Sequence, residues 1–321
     1  MARYLLRRVL WGMLTLFLAV TLTFLILRVM PSDPVSVMVD SRMTRGDIEA
    51  LTREFGLDMP LTTQYARYLA NLCRGQLGIS FATRQPVSVL LAERLPWTFL
   101  LNLSALTLAL ALGVWLGQAA AKRRDTWLDW LIHLLAALGG SIFVPSLGLA
   151  LLYLLGVKFP LLPIGGTHTP GVVGLAYAAD VARHLLLPTA VLVLVTWPHY
   201  ALHMRASLLE ILRADYLRTA RSKGMRESRA LWRHGVRNAL IPTVNISGLL
   251  LGSLSGGSIL AETIFSYPGV GRLIYEAVGR LDYPVLQGAF LTLAAIVILL
   301  GILTDLLYIC LEPRIRLGAE R

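Results

Sequence analysis

The stretch Trp97-Thr-Phe-Leu-Leu-Asn-Leu-Ser-Ala-Leu-Thr-Leu-Ala-Leu-Ala-Leu-Gly-Val-Trp-Leu-Gly-Gln-Ala-Ala-Ala121 runs for 25 residues without a charge, and Lys122, Arg123 and Arg124 follow it at once. About 20 apolar residues wound as a helix cross the hydrocarbon core of a bilayer, and the helix satisfies its own backbone where no water is present. The stretch therefore reads as a membrane span. Working outward, five more apolar runs occupy 9–29, 128–157, 185–204, 239–260 and 285–310. The expected fold is an all-α polytopic membrane protein with six transmembrane helices.

Composition agrees with that reading. Of 321 residues, 56% are hydrophobic and 15% charged, and mean hydropathy is +0.65. Soluble domains are about 45–50% apolar and about 25% charged, so a soluble enzyme and a disordered chain are both excluded. The run at 9–29 follows Arg3, Arg7 and Arg8 like a secretory signal. It has no convincing small-residue cleavage site and is long enough to cross the bilayer, so it reads as a retained first span.

The net charge of +11 is not spread evenly. One side of the six-span topology collects 18 of the 30 basic residues, in 3–8, 122–124, 205–237 and 314–321. Basic residues at span ends mark the cytoplasmic side, which puts both termini there. A nucleic-acid partner would need a basic groove with stacking aromatics, and none is visible. Cys73 and Cys310 fall on opposite sides, so neither a disulfide nor a metal cluster is expected from them.

Two polar segments are long enough to have structure. The outer one, 31–96, carries Ile48, Leu51 and Phe55 at helical spacing before Gly56, and a second amphipathic stretch from Thr63 to about Gly75, which suggests a small helical domain. The inner one holds nine basic residues between Arg205 and Arg237 and is too polar for lipid. The expected divisions are 1–30, with the N-terminus and first span; 31–96, external; 97–310, a five-helix core including the inner segment 205–238; and 311–321, a cytoplasmic tail.

No nucleotide-binding or catalytic pattern is present. A phosphate-cradling loop needs Gly-Lys, and no Gly-Lys dipeptide occurs. H-E-x-x-H, C-x-x-C and G-x-S-x-G are also absent. His199 and His203 have the four-residue spacing of helical metal ligands, but they sit with Trp197, Tyr200 and Arg205 at a span end where such residues collect anyway. No metal site is assigned.

The inner segment is the most informative. Asp215-Tyr-Leu-Arg-Thr-Ala-Arg-Ser-Lys-Gly224 followed by Met225 to Pro242 reads as a helix, a glycine turn, a second helix over 225–237, and a proline where the next span begins. Such a knob can enter a groove of a cytoplasmic partner. The same residues can equally be a basic loop that enforces topology or touches anionic lipid. The fifth run contains Gly248, Gly252, Ser253, Ser255, Gly256, Gly257 and Ser258, small residues that either pack helices closely or form a polar wall. Glu262 lies just beyond, as a gate carboxylate or as a group satisfied by Arg272 or Arg280. Pro145, Pro188 and Pro198 punctuate the third and fourth spans, where they either kink the helices and shape a cavity or serve packing alone.

These residues resemble a known family. The 215–242 segment is similar to the EAA loop of ABC-importer permeases, in the version of the dipeptide, oligopeptide and nickel permeases. Against the pattern E-A-A-x3-G-x9-I-x-L-P, Ala220 and Gly224 match, while Arg218, Thr219, His234, Val236 and Arg237 depart from it. Arg3-Tyr4-Leu-Leu-Arg7-Arg8, Leu77-Gly78-Ile-Ser-Phe81 with Arg84-Gln-Pro-Val87, Glu262 to Arg272, Asp282-Tyr-Pro284 and Asp305 to Arg316 carry the resemblance from end to end.

The resemblance implies a type I importer-permease fold in a bacterial inner membrane and a non-catalytic subunit forming half of a translocation path. It implies a second homologous permease, two ATPase subunits that hold ATP and Mg, and an external substrate-binding protein as partners. No cofactor is implied in this chain. Coupling to the ATPase would fall to Asp215, Tyr216, Arg218, Thr219, Ala220, Lys223, Gly224, Arg233, His234, Asn238 and Pro242. The path and outer gate would involve Gly252, Ser255, Gly256, Ser258, Glu262, Tyr267, Pro268, Gly269 and Gly271. Peptides are the expected substrate class, with nickel or metal chelates and glutathione as alternatives; an ion-coupled carrier or channel is the competing class.

Overall fold

The computed structural model describes residues 2–29, 46, 53, 56, 58–213 and 231–311. Among them the secondary structure is helical, with one isolated bridge between Ile79 and Pro86. The helices are α1 (Ala2–Val29), α2 (Leu61–Cys73), α3 (Val87–Lys122), α4 (Trp127–Ser141), α5 (Val144–Leu151), α6 (Leu175–Leu212), α7 (Arg237–Asn245), α8 (Ser247–Ile264), α9 (Val270–Gly279) and α10 (Tyr283–Leu311). Wider π-helical turns extend α5 over Leu152–Lys158 and precede α7 over Leu231–Val236.

Four of these helices, α1, α3, α6 and α10, are individually long and apolar enough to span a bilayer, and two bent pairs bring the number to six if each counts as one span. The expected third span is such a pair: α4 and the α5 segment meet at 100°. Ile142 and Phe143 are extended at the corner, and Pro145 stands in the first turn of α5. Proline is tolerated there because the first helical N–H groups have no partner inside the helix. Pro145 therefore starts a helix after the bend instead of kinking a span. Pro188 and Pro198 are buried within α6, whose helical assignment is continuous through both.

The chain forms two compact units, Met1–Thr98 with Pro268–Ile298, and Phe99–Tyr267 with Leu299–Arg321. In the first, Phe24 of α1 stacks on Tyr68 of α2 at 5.7 Å and meets Tyr65 at 5.2 Å, while the Thr21 and Tyr65 hydroxyls are 2.7 Å apart. Away from this contact α1 exposes Trp11, Phe17, Leu18 and Leu22, as a lipid-facing helix does.

In the second unit α3, α4, α6 and α8 share a core of Ala109, Ile132, Ala136, Trp197, Tyr200 and Leu250. The tightest approach is between α3 and α6. A Cβ on Gly113 would fall 2.4 Å from the Cβ of Tyr200, and one on Gly117 would fall 2.5 Å from the carbonyl oxygen of Ala201. Only hydrogen fits at these positions, so two backbones meet as they do where small residues line membrane helices. The Tyr200 hydroxyl then donates to Ser247 Oγ at 2.8 Å, tying α6 to the start of α8.

Candidate functional site

Two sequence motifs of the first unit, distant along the chain, meet at one carboxylate. After Gly75 and Gly78, both in the left-handed region, residues 79–86 fold back as a tight turn. Asp282, just before α10, is buried against it. Its Oδ2 accepts from the Ser80 hydroxyl at 2.5 Å and from the Ala82 N–H at 3.2 Å, and its Oδ1 accepts from the Phe81 N–H at 3.1 Å. Ser80 Oγ in turn accepts from the Thr83 N–H at 3.0 Å. Beside this latch Gly78 lies against Pro284, and the Phe81 and Tyr283 rings are 6.5 Å apart. The sequence showed both motifs but gave no sign that they are partners, because 202 residues separate Ser80 from Asp282.

The gate candidates fall in both units. In the second, α8 carries Gly252, Ser255, Gly256 and Ser258. A Cβ on Gly256 would meet nothing within 4 Å, whereas Ser258 is buried. Glu262, in the last turn of α8, is fully buried, and its carbonyl accepts from the Tyr267 N–H at 2.8 Å. The turn that follows is anchored by the Gly166 N–H, which donates to the Phe265 carbonyl at 3.1 Å. Tyr267 is fully buried, and burial pushes its phenol well above its ordinary value. In the first unit, Pro268 and Gly269 lead into α9, where Gly271 is buried and the Val270 N–H donates to Thr98 Oγ1 at 2.8 Å. Arg272 gives its Nε–H to Glu276, one turn along the same helix, at 2.8 Å.

At the other end of the second unit α6 continues past residue 204 to Leu212, so the first part of the polar segment is an extension of a span. Its Arg205 holds Asp129 of α4 with two parallel bonds, Nε to Oδ1 at 2.7 Å and Nη2 to Oδ2 at 2.6 Å. This fork-to-carboxylate geometry is the strong form of an ion pair. The sequence reading missed the pair. The available signal was Asp129 itself, an acid inside an apolar run that needs a partner. Below it Ala121, Met204, Leu208, Val236 and Ala239 join α3, α6 and α7 in one core.

Asp215, Tyr216, Arg218, Thr219, Ala220, Lys223 and Gly224 lie outside the described residues, as do Ile48, Leu51 and Phe55 of the outer segment. Arg233 and His234 lie on the π-helical turn before α7. Asn238 is exposed on α7. Pro242 sits inside α7, not at the start of a span as expected. The reason is that helix formation begins upstream in the turn at Leu231, and a single missing N–H does not end it there. His203 Nδ1 lies 2.9 Å from the carbonyl oxygen of His199, and among the described residues no three His, Cys, Asp or Glu side chains converge to hold a metal.

Comparison with known proteins covers almost the whole chain. Residues 1–102 match the family described as the N-terminal part of binding-protein-dependent transport system membrane components, and residues 109–317 match the binding-protein-dependent transport system inner membrane component family. The oligopeptide transport system permease protein AppB of Bacillus subtilis is 35% identical over 316 residues, covering 98% of this chain and 99% of its own. The glutathione transport system permease protein GsiC of Pectobacterium atrosepticum is 36% identical over 316 residues with the same coverage. A solved amino acid ABC transporter with histidines aligns with 71% of this chain and 94% of its own at 15% identity and a TM-score of 0.49. With both parts of the family matched in order along one apolar, helical chain, this protein belongs to the binding-protein-dependent transport system inner membrane components.

Proposed function

We propose that the chain is the non-catalytic permease subunit of an ATP-driven importer of short peptides, forming half of the translocation path. The observation that carries this reading is full-length similarity, above one third identity, to permeases named for oligopeptides and for the tripeptide glutathione. On this reading the subunit lies in the inner membrane with both termini cytoplasmic. It works with a second homologous permease, two ATPase subunits that bind ATP and Mg, and an external substrate-binding protein.

The coupling step is mechanical. Residues 214–230 connect α6 to the turn before α7, and these helices share the core built on Met204, Leu208, Val236 and Ala239. A displacement imposed on the connecting segment by closing ATPase subunits is thus delivered to α3, α6 and α7 together, because a packed core moves as a body and does not shear residue by residue. The Asp129 to Arg205 fork adds α4 to that body. We assign docking to Gly224, with Asp215, Tyr216, Arg218, Thr219, Ala220 and Lys223 before it in sequence and Arg233, His234, Asn238 and Pro242 after. The gate belongs to the far end of α8 and the residues beyond it, where Gly256 leaves open space and Glu262 and Tyr267 are buried.

The test is purification of the tagged chain from its own membrane in mild detergent, followed by identification of the subunits retained and of ATPase stimulation by the loaded binding protein. ATPase subunits and a second permease should co-purify, and peptides should stimulate hydrolysis. Gly224→Val should abolish that stimulation while leaving membrane insertion intact. A chain that emerges folded and alone, or stimulation that survives Gly224→Val, overturns the reading.

A further inference from the structure

Where the end of α1, α2, the 76–84 turn and the start of α10 come together, the first unit forms a cavity of about 600 Å³ that is open to solvent on one side. Its described wall contains Arg28, Arg53, Arg67 and Arg84 and no Asp or Glu. Arg53, Arg67 and Arg84 are exposed to solvent around its opening, while Arg28 is half-buried. Arg28 is held between rings, its guanidinium 5.6 Å from the centre of Phe24 and 5.5 Å from that of Tyr283. Its Nε–H is buried and has no acceptor among the described residues, and the same holds for the Tyr68 hydroxyl and the Gln287 amide nitrogen. All three residues line the cavity. Burial raises the Tyr68 phenol to about 12, so it keeps its proton and can donate at neutral pH. Buried donors without acceptors are rare in folded proteins and call for an explanation.

We propose that this cavity is a binding site for an oxyanion, a phosphate or carboxylate group taken up by the guanidinium forks and by the phenol and amide donors of its wall. Arginine forks match the paired oxygens of both groups. The cavity lies at the ends of α1 and α10, two helices long and apolar enough to span a bilayer, so the oxyanion can belong to an anionic lipid headgroup or to a solute entering from water. The site stands independently of the transported substrate.

The experiment uses the full chain with the subunits that co-purify, in phosphatidylcholine nanodiscs with and without phosphatidylglycerol, and separately with inorganic phosphate or glutamate in the buffer. Modification of arginines by phenylglyoxal is followed by mass spectrometry. One of these probes should slow modification of Arg67 about tenfold, the equivalent of one charge-assisted fork, and leave Arg74, outside the cavity, unaffected. Protection by phosphatidylglycerol alone identifies a lipid, and protection by phosphate or glutamate identifies a solute. The paired substitution Arg28→Gln with Arg67→Gln should weaken binding of the same probe by about tenfold or more. Should that variant fail to assemble, the wild-type protection still decides. Arg67 protected by none of the probes, or Arg74 protected equally, overturns the proposal.

Discussion

Asp282→Asn exchanges one oxygen for an amide nitrogen at the point where the 79–86 turn is fastened to the start of α10. Asp282 accepts three hydrogen bonds, two on Oδ2 from Ser80 and Ala82 and one on Oδ1 from Phe81. The asparagine amide will keep its oxygen on the side with two donors, leaving an N–H group facing the Phe81 N–H. Losing a hydrogen bond to a charged acceptor costs about 1.5–3 kcal/mol, and the two retained bonds fall from charge-assisted to neutral strength, for a total of about 3 kcal/mol. At 1.4 kcal/mol per decade, opening of the turn becomes about 100-fold more frequent. Hydrogen exchange by mass spectrometry on peptides covering 78–86, in nanodiscs, reads this directly. Ser80→Ala should accelerate the same peptides about 30-fold, since it removes one bond to Asp282 and the acceptor of the Thr83 N–H, about 2 kcal/mol in all. The double variant should fall short of the sum, because the two side chains share a bond. Exchange over 78–86 that rises less than about threefold in Asp282→Asn, or that rises equally throughout the chain, refutes the latch.

Gly117→Val forces α3 away from α6, because even the first added carbon lands 2.5 Å from the Ala201 carbonyl oxygen; destabilisation of about 3 kcal/mol or more should appear as aggregation on size exclusion. Gly140→Ala, where a Cβ meets nothing within 4 Å, should behave as wild type in the same assay. Asp129→Ala strands the largely buried Arg205 guanidinium and should cost about 3–5 kcal/mol, seen as a lowered thermal midpoint in detergent. The exchange Asp129→Arg with Arg205→Asp should restore part of that loss if the fork, not the identity of either residue, is what matters. Gly256→Trp should block uptake into vesicles without lowering the thermal midpoint, since α8 leaves open space at that position.

Much of the architecture was legible because apolar length is a local property. The run at 97–121 lies within α3, that at 9–29 within α1 and that at 185–204 within α6, each helix extending further than its apolar part. Extension was hidden because residues such as Arg94 and Arg205 end an apolar window without ending a helix. The 100° corner at 142–143 was marked in sequence by Pro145 alone, and its sharpness was hidden, since the residues around it are apolar or small and hydropathy does not register a turn made between two greasy helices. The candidate site was less legible. Glycines on α8 drew attention by their number, yet among the described glycines the closest approach to a neighbouring backbone is made by Gly117 on α3, which looks unremarkable among alanines and leucines.

By itself the sequence determined that this is a helical membrane protein, and its motifs pointed to the permease family, because both follow from residue type and from order along the chain. Only the tertiary structure decided which charges are partners. Ser80 with Asp282, Asp129 with Arg205, and the arginines gathered around one cavity are pairings between distant segments. A charge in sequence announces that it needs a partner; which partner it finds depends on helix packing, which is set by shape at sites such as Gly117 and leaves no periodic trace along the chain.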